Sequence, residues 1–157
     1  MIKGLSGSQV TTEITIRRAT EEEIFWVNNQ YDQIGFKHSD YSNELIAIAE
    51  VNGERAGLGR LQRLTDNIAE LGGMYVNEDF RGHGLAAKIV NYLLQHSDEY
   101  RQIYCLPFSH LEGFYQRFGF KPCQNLVEAP SAVVEKHSWC NATYKDKTLL
   151  FVLDKNT

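Results

Sequence analysis

The segment Glu13-Ile14-Thr15-Ile16-Arg17 alternates polar and apolar side chains, the period-two pattern of a half-buried strand. Thr20 and Glu23 follow at capping-box spacing, in which the hydroxyl accepts from the N3 amide and the carboxylate accepts from the N-cap amide. They predict a helix carrying Ile24, Val27, Tyr31 and Ile34 on one stripe, with Gly35 as its stop. In the next apolar run, Leu45, Ala47, Ala49 and Val51 share one face and Ile46 and Ile48 the other, which predicts a strand covered on both sides. Asn52-Gly53 is a hairpin signal, because both central residues of such a turn take φ > 0. The return strand, Arg55 to Leu64, carries Gly57 and Gly59, marks of a bulge or of close backbone packing. Asp66-Asn67 makes a second turn, and Ile68 to Val76 is the third strand of a meander, interrupted by Gly72-Gly73.

A helix follows with Leu85, Ile89, Val90, Leu93 and Leu94 on its apolar stripe, then a short strand from Gln102 to Leu106. Ser109 and Glu112 make a second capping box, opening a helix that Gly119 ends. Phe120 to Val127 reads as extended, Pro130 as the first residue of a helix over 130–143, and Thr148 to Leu153 as a closing strand. The order β-α-β-β-β-α-β-α-β-α-β predicts an α/β layer fold around a mixed sheet.

Composition narrows the class. A chain of 157 residues with 43% hydrophobic and 23% charged residues is an ordinary globular domain, read here as a single unit over 12–157 behind a Gly/Ser/Thr-rich lead-in at 1–11. The net charge of −4 and the absence of a Lys/Arg run exclude nucleic-acid or membrane-surface binding driven by bulk charge. Cys105, Cys123 and Cys140 form no C-x-x-C pair, and no His, Cys or Asp spacing suggests a metal site, so free thiols in a reducing compartment are expected. The longest purely apolar run, Leu45 to Ala49, is far short of the ~20 residues a membrane helix needs. With no apolar stretch at the N-terminus, a cytoplasmic protein is expected.

The chemistry concentrates in Met74-Tyr75-Val76-Asn77-Glu78-Asp79-Phe80-Arg81-Gly82-His83-Gly84-Leu85-Ala86, a strand, a short turn and a Gly-rich loop opening onto a helix. The first amides of a helix lack intrahelical partners and, with the helix dipole, form an anion site. Gly82 and Gly84 let the backbone approach a phosphate, and Arg81, His83 and Lys88 add positive charge. The loop is neither a Walker loop nor a dinucleotide fingerprint, since Ala87 stands where the latter needs its third glycine.

The string Arg-x-x-Gly-x-Ala after a strand ending in Val76 resembles the pyrophosphate-binding motif of the GNAT family of N-acetyltransferases. Downstream, Phe114-Tyr115-Gln116-Arg117-Phe118-Gly119-Phe120 is similar to that family's second signature. The resemblance covers residues 13–127 and implies a mostly antiparallel sheet flanked by helices, acetyl-CoA as co-substrate and direct attack of an amine on the thioester. It places the cofactor in a split between strands 70–76 and 102–106, with backbone groups of Met74, Tyr75 and Val76 on the pantetheine and amides of Arg81, Gly82, His83, Gly84, Leu85 and Ala86 on the pyrophosphate. Tyr115 matches the family's tyrosine that assists the leaving thiolate; packing against Leu111 and Phe118 is the plainer role. Glu70 stands where several members carry a carboxylate that takes the amine proton through water, and a solvent-facing strand residue is the alternative. His110 is a rival base.

This chain departs from the pattern at Phe108, where many members have Asn, and helix 130–143 has no counterpart in the matched core. Cys105 raises a nucleophile reading with no base assigned to it. The acceptor amine is left open, as is homodimerisation, which is frequent in the family. A non-catalytic acyl-CoA-binding or regulatory domain on the same fold is the alternative function.

Overall fold

The computed structural model describes residues 11–156; all of the expected lead-in but residue 11 lies outside that range. Strand β1 (Ile14–Arg18) leads through a 3₁₀ turn (Glu21–Glu23) into helix α1 (Ile24–Ile34). The capping box forms as expected, with Glu23 accepting from the Thr20 amide at 2.9 Å, and Gly35 ends the helix at φ 73°. The meander is β2 (Glu44–Val51), β3 (Glu54–Thr65) and β4 (Ile68–Val76), antiparallel throughout. Asn52 and Gly53 take φ 52° and 83°, as the hairpin turn requires.

Helix α2 (Leu85–Gln95), β5 (Gln102–Cys105), α3 (Glu112–Gln116), β6 (Lys121–Pro122), α4 (Ser131–Thr143) and β7 (Phe151–Asp154) complete the chain. The seven strands form one sheet in the order β1-β2-β3-β4-β5-β7-β6, and β4–β5 is its parallel pair. Both faces are covered. Ala47, Ala49 and Val51 of β2 join Leu85, Ile89 and Leu93 of α2 in one core, while Ile46 and Ile48 join Val27 and Tyr31 of α1 in another. A third cluster sets Tyr104 of β5 against Ala129, Val133 and Leu150 under α4. Among the described residues, no helix is long and apolar enough to cross a membrane.

Four details depart from the sequence expectations, all in the second half. Ser109 and Glu112 form no capping box: Phe108 is the N-cap of the 3₁₀ turn Ser109–Leu111, and the Ser109 amide donates to Lys147 O at 2.8 Å. That bond belongs to a bridge between Phe108 and Thr148, so a tertiary pairing has taken the cap's donor. The extended run 120–127 is strand only at Lys121–Pro122, and its pairing ends with the Cys123 amide donating to Leu150 O at 2.9 Å, because β7 begins at Phe151. Pro130 is the N-cap of α4 and not its first residue, and the closing strand begins at Phe151, with Thr148 in the bridge.

Candidate active site

The site begins where two parallel strands stop pairing. Strands β4 and β5 are in register over Ile68–Leu71 and Gln102–Cys105, after which β4 continues to Val76 with no strand on that edge. Two local features drive them apart. The chain beyond β5 reaches Pro107, which has no N–H for a ladder and holds the preceding residue extended. On β4, Gly73 takes φ +61° in a break of the β3–β4 register, a bulge that turns the strand. The bulge is pinned by the Tyr31 hydroxyl, which donates to Gly73 O at 2.8 Å. Only glycine fits there, since a Cβ would stand 2.5 Å from that hydroxyl and 2.8 Å from Arg60 Nε.

Beyond β4, Asn77 caps a 3₁₀ turn (Glu78–Phe80), its Oδ1 accepting from the Asp79 amide at 2.9 Å. The exposed loop Arg81-Gly82-His83-Gly84 then delivers the chain to α2, with Gly82 at φ 91° and Gly84 at φ 71°. No side chain caps this helix. An added Cβ at either glycine meets nothing within 4 Å, so the turn is glycine-rich for its left-handed backbone and leaves free space beside it. An uncapped helix N-terminus with open, amide-bearing loop and the cationic Arg81 and Lys88 fits a pyrophosphate, and the free edge of Met74, Tyr75 and Val76 fits an extended amide-bearing chain.

At the point of divergence lies a cavity of about 580 Å³, in the range of small-ligand sites. Glu70, Cys105 and Tyr115 line it from the sheet side, and Lys136, Trp139 and Cys140 of α4 form a wall. Glu70 is 6% exposed, and its Oε2 accepts from Lys136 Nζ at 2.6 Å. The solvent-facing alternative for Glu70 is thereby overturned: pairing with β3 on one side and β5 on the other, under α4, buries it. Tyr115, from α3, lines the same cavity as Cys105, the last residue of β5 paired with β4. Its ring packs edge-on to Phe114 and Phe120, centroids 4.9 and 6.0 Å away, in the cluster that also holds the expected Phe118.

Burial raises the Tyr115 hydroxyl well above the ordinary tyrosine range, and the neighbouring Cys105 adds to the shift. Tyr115 therefore stays protonated, a donor at every physiological pH. Burial likewise pushes the Cys105 thiol up, reinforced by the Glu70 carboxylate, so the thiol is a poor nucleophile. His110 is exposed on its 3₁₀ turn, stacked on Phe108 at 6.1 Å. Lys136, the partner that holds Glu70, escaped sequence reading because it lies 66 residues away on a helix without a clear apolar stripe.

Residues 42–122 match the family described as the acetyltransferase (GNAT) domain. The chain belongs to the GNAT acetyltransferase family. No curated protein matches its sequence, but many solved structures share its fold. The Mycobacterium tuberculosis protein Rv2747, in complex with CoA and NLQ, superposes with a TM-score of 0.69 at 18% identity, over 89% of this chain and 98% of that one. The Neisseria gonorrhoeae N-acetylglutamate synthase, complexed with coenzyme A and N-acetyl-glutamate, gives 0.67 at 15% identity over 92% of this chain, which spans only 36% of that longer protein. Arabidopsis thaliana Naa50, in complex with the bisubstrate analogue CoA-Ac-MVNAL, gives 0.64 at 13% identity, covering 88% and 97% of the two chains.

Proposed function

We propose that this GNAT protein transfers an acetyl group from acetyl-CoA to a primary amine in one direct step. The observation that carries the reading is the coincidence, at the parting of β4 and β5, of a buried hydroxyl donor, a buried carboxylate and a ligand-sized cavity. Family membership and the CoA-bearing neighbours support the choice of cofactor, and the N-acetyl-glutamate and peptide-based ligands of two of them support an amine acceptor.

Acetyl-CoA supplies the acyl group already activated as a thioester. The free edge of Met74–Val76 holds the pantetheine and the loop 81–86 its pyrophosphate. The chain's own tasks are then two proton movements. A lysine-type amine is protonated at neutral pH, and removing its proton costs about 4.6 kcal/mol, against about 1 kcal/mol for an α-amine. Glu70, kept in place by Lys136, accepts that proton directly or through one water. The Tyr115 hydroxyl, kept protonated by burial, donates to the CoA sulfur as negative charge develops there. The protonated Cys105 thiol leaves no role for an acyl-cysteine intermediate.

The test is CoA release from acetyl-CoA across a panel of amines, alongside calorimetric titration of CoA. Binding with amine-dependent release supports transfer. Binding with no release from any amine supports the non-catalytic domain, and no binding overturns both.

A further inference from the structure

Resting on that acyl-transfer reading, we infer that the acceptor is a small primary amine carrying a carboxylate on the same molecule, and that Arg60 binds the carboxylate. Arg60 lines the same cavity as Glu70 and is 7% exposed. The register pairs Gln62 with Glu70 and Arg60 with Gly72, so Arg60 and Glu70 are diagonal neighbours on one sheet face. Diagonal pairs stand roughly 7–8 Å apart. An amine at Glu70 and a carboxylate at Arg60 are thus spanned by a molecule of amino-acid size.

A buried guanidinium has five donors to satisfy. Among the described residues this one makes a single hydrogen bond, Nη1 to Ser39 Oγ at 2.7 Å, while its face covers the Tyr31 ring at 4.3 Å. Among the described residues, the sealed side-chain polar atoms without a hydrogen bond are Glu44 Oε1 and Thr148 Oγ1, and none belongs to Arg60. Its uncommitted N–H groups therefore open onto the cavity it lines. That fork is the geometry that takes a carboxylate with two parallel hydrogen bonds.

Glu44 is the group that argues the other way, and its placement limits the objection. Its Oε1 lies 4.0 Å from Arg60 Nη1 and its Oε2 accepts from the Asp40 amide at 3.1 Å, so it faces the guanidinium without filling the fork. It balances the buried charge while the cavity is free. A ligand carboxylate in hydrogen-bond contact is closer to the guanidinium than to Glu44, and attraction falls with distance in the same way as repulsion. Lys37, exposed at the rim of the cavity, adds positive charge, and His38 is engaged by Asp32 at 2.6 Å.

The experiment pairs free amino acids with their carboxamides as acceptors for the full chain and acetyl-CoA. The carboxamide amine is the less basic, so intrinsic reactivity favours it, and a preference for the carboxylate reads recognition. The expected result is a kcat/KM higher by roughly 10- to 100-fold for the carboxylate of the best pair, the range of a hydrogen-bonded charge. Arg60→Gln should erase the preference, lowering kcat/KM for the carboxylate far more than for its carboxamide. Equal use of both members by the wild type overturns the inference and leaves acyl transfer standing; release from neither member while another amine of the panel is acetylated overturns the inference alone, and no release with any amine of the panel overturns both. Should Arg60→Gln fail to fold, calorimetry on the CoA-loaded wild type gives the readout without turnover. Binding of an amine-free dicarboxylate such as glutarate, in competition with the amino acid, supports the site, and no binding up to millimolar glutarate overturns it.

Discussion

Tyr115 performs its task through its surroundings. Burial keeps its proton on, so the hydroxyl is available as a donor. Tyr115→Phe retains the ring contacts with Phe114 and Phe120 and removes only the donor. We expect kcat to fall by roughly 10²- to 10⁴-fold, the usual scale of a positioned acid, with CoA affinity unchanged by calorimetry. Near-normal turnover would reduce Tyr115 to a packing residue. Glu70→Gln should hurt lysine-type acceptors more than α-amines, because about 4.6 against 1 kcal/mol of deprotonation is at stake. Rising pH should partly rescue that variant as solvent supplies neutral amine; pH–rate profiles with the same acidic limb and plateau for both proteins would eliminate Glu70 as the base. Tyr115 was legible in the sequence because its signature, through Gly119 and Phe120, is local in the chain. Lys136 and Arg60 were not. Each reaches the cavity through strand register or helix docking over dozens of residues, and neither leaves a local pattern.

The same division holds for whole elements. Those fixed by short-range chemistry were readable: the Thr20–Glu23 box, the Asn52-Gly53 turn, the loop into α2. The Ser109–Glu112 box was lost to a competing tertiary bridge, and the 120–127 run lacked a partner strand long enough to order it. The first box also carries a pH signature. Arg17 donates to both Glu23 oxygens, at 2.7 and 2.8 Å, and holds that carboxyl at about 2 against an ordinary 4.5. A lowered folded value means the stabilisation is complete above about 4.5 and is lost as pH falls towards 2. In urea titrations, Glu23→Gln should therefore be less stable than wild type at pH 6, with the gap closing by pH 2; a gap independent of pH would refute the linkage. The loop before α2 is tested by Gly84→Asp. Asp tolerates the left-handed backbone, and its Cβ meets nothing, so the fold should survive. A carboxylate at about 4 Å from a phosphate costs about 1–4 kcal/mol, or roughly 5- to 1000-fold in CoA affinity. Unchanged affinity in a folded variant would remove this loop from the cofactor site.

At the scale of the molecule, one glycine lies between the core and the strand and helix that lead to the proposed cofactor loop. Helix α2 lies against β3 so closely that a Cβ on Gly59 would stand 2.8 Å from Ile89 Cγ2 and 2.5 Å from Met74 Sδ. Ile89 is buried mid-helix, and the N-terminus of that helix is the uncapped end that follows the loop proposed to hold the pyrophosphate. Met74 is on the strand edge proposed to hold the pantetheine, so both neighbours of Gly59 lead to the same ligand. Gly59→Ala must push the helix, the methionine or both outward, since close-packed interiors transmit such strain and do not absorb it. We expect a loss of about 1–3 kcal/mol in unfolding free energy, the range for overpacking, together with weaker CoA binding in the folded fraction. Gly113→Ala supplies the contrast. Gly113 is inside α3 with open space where a Cβ would go, so the same added methyl should stabilise by roughly 0.5–1 kcal/mol through backbone entropy alone. Opposite signs in chemical denaturation, with the affinity loss confined to Gly59→Ala, would establish that packing between α2 and β3 sets the position of the phosphate loop. If Gly59→Ala lost stability with no change in CoA affinity, the helix would be shown to move without carrying the loop.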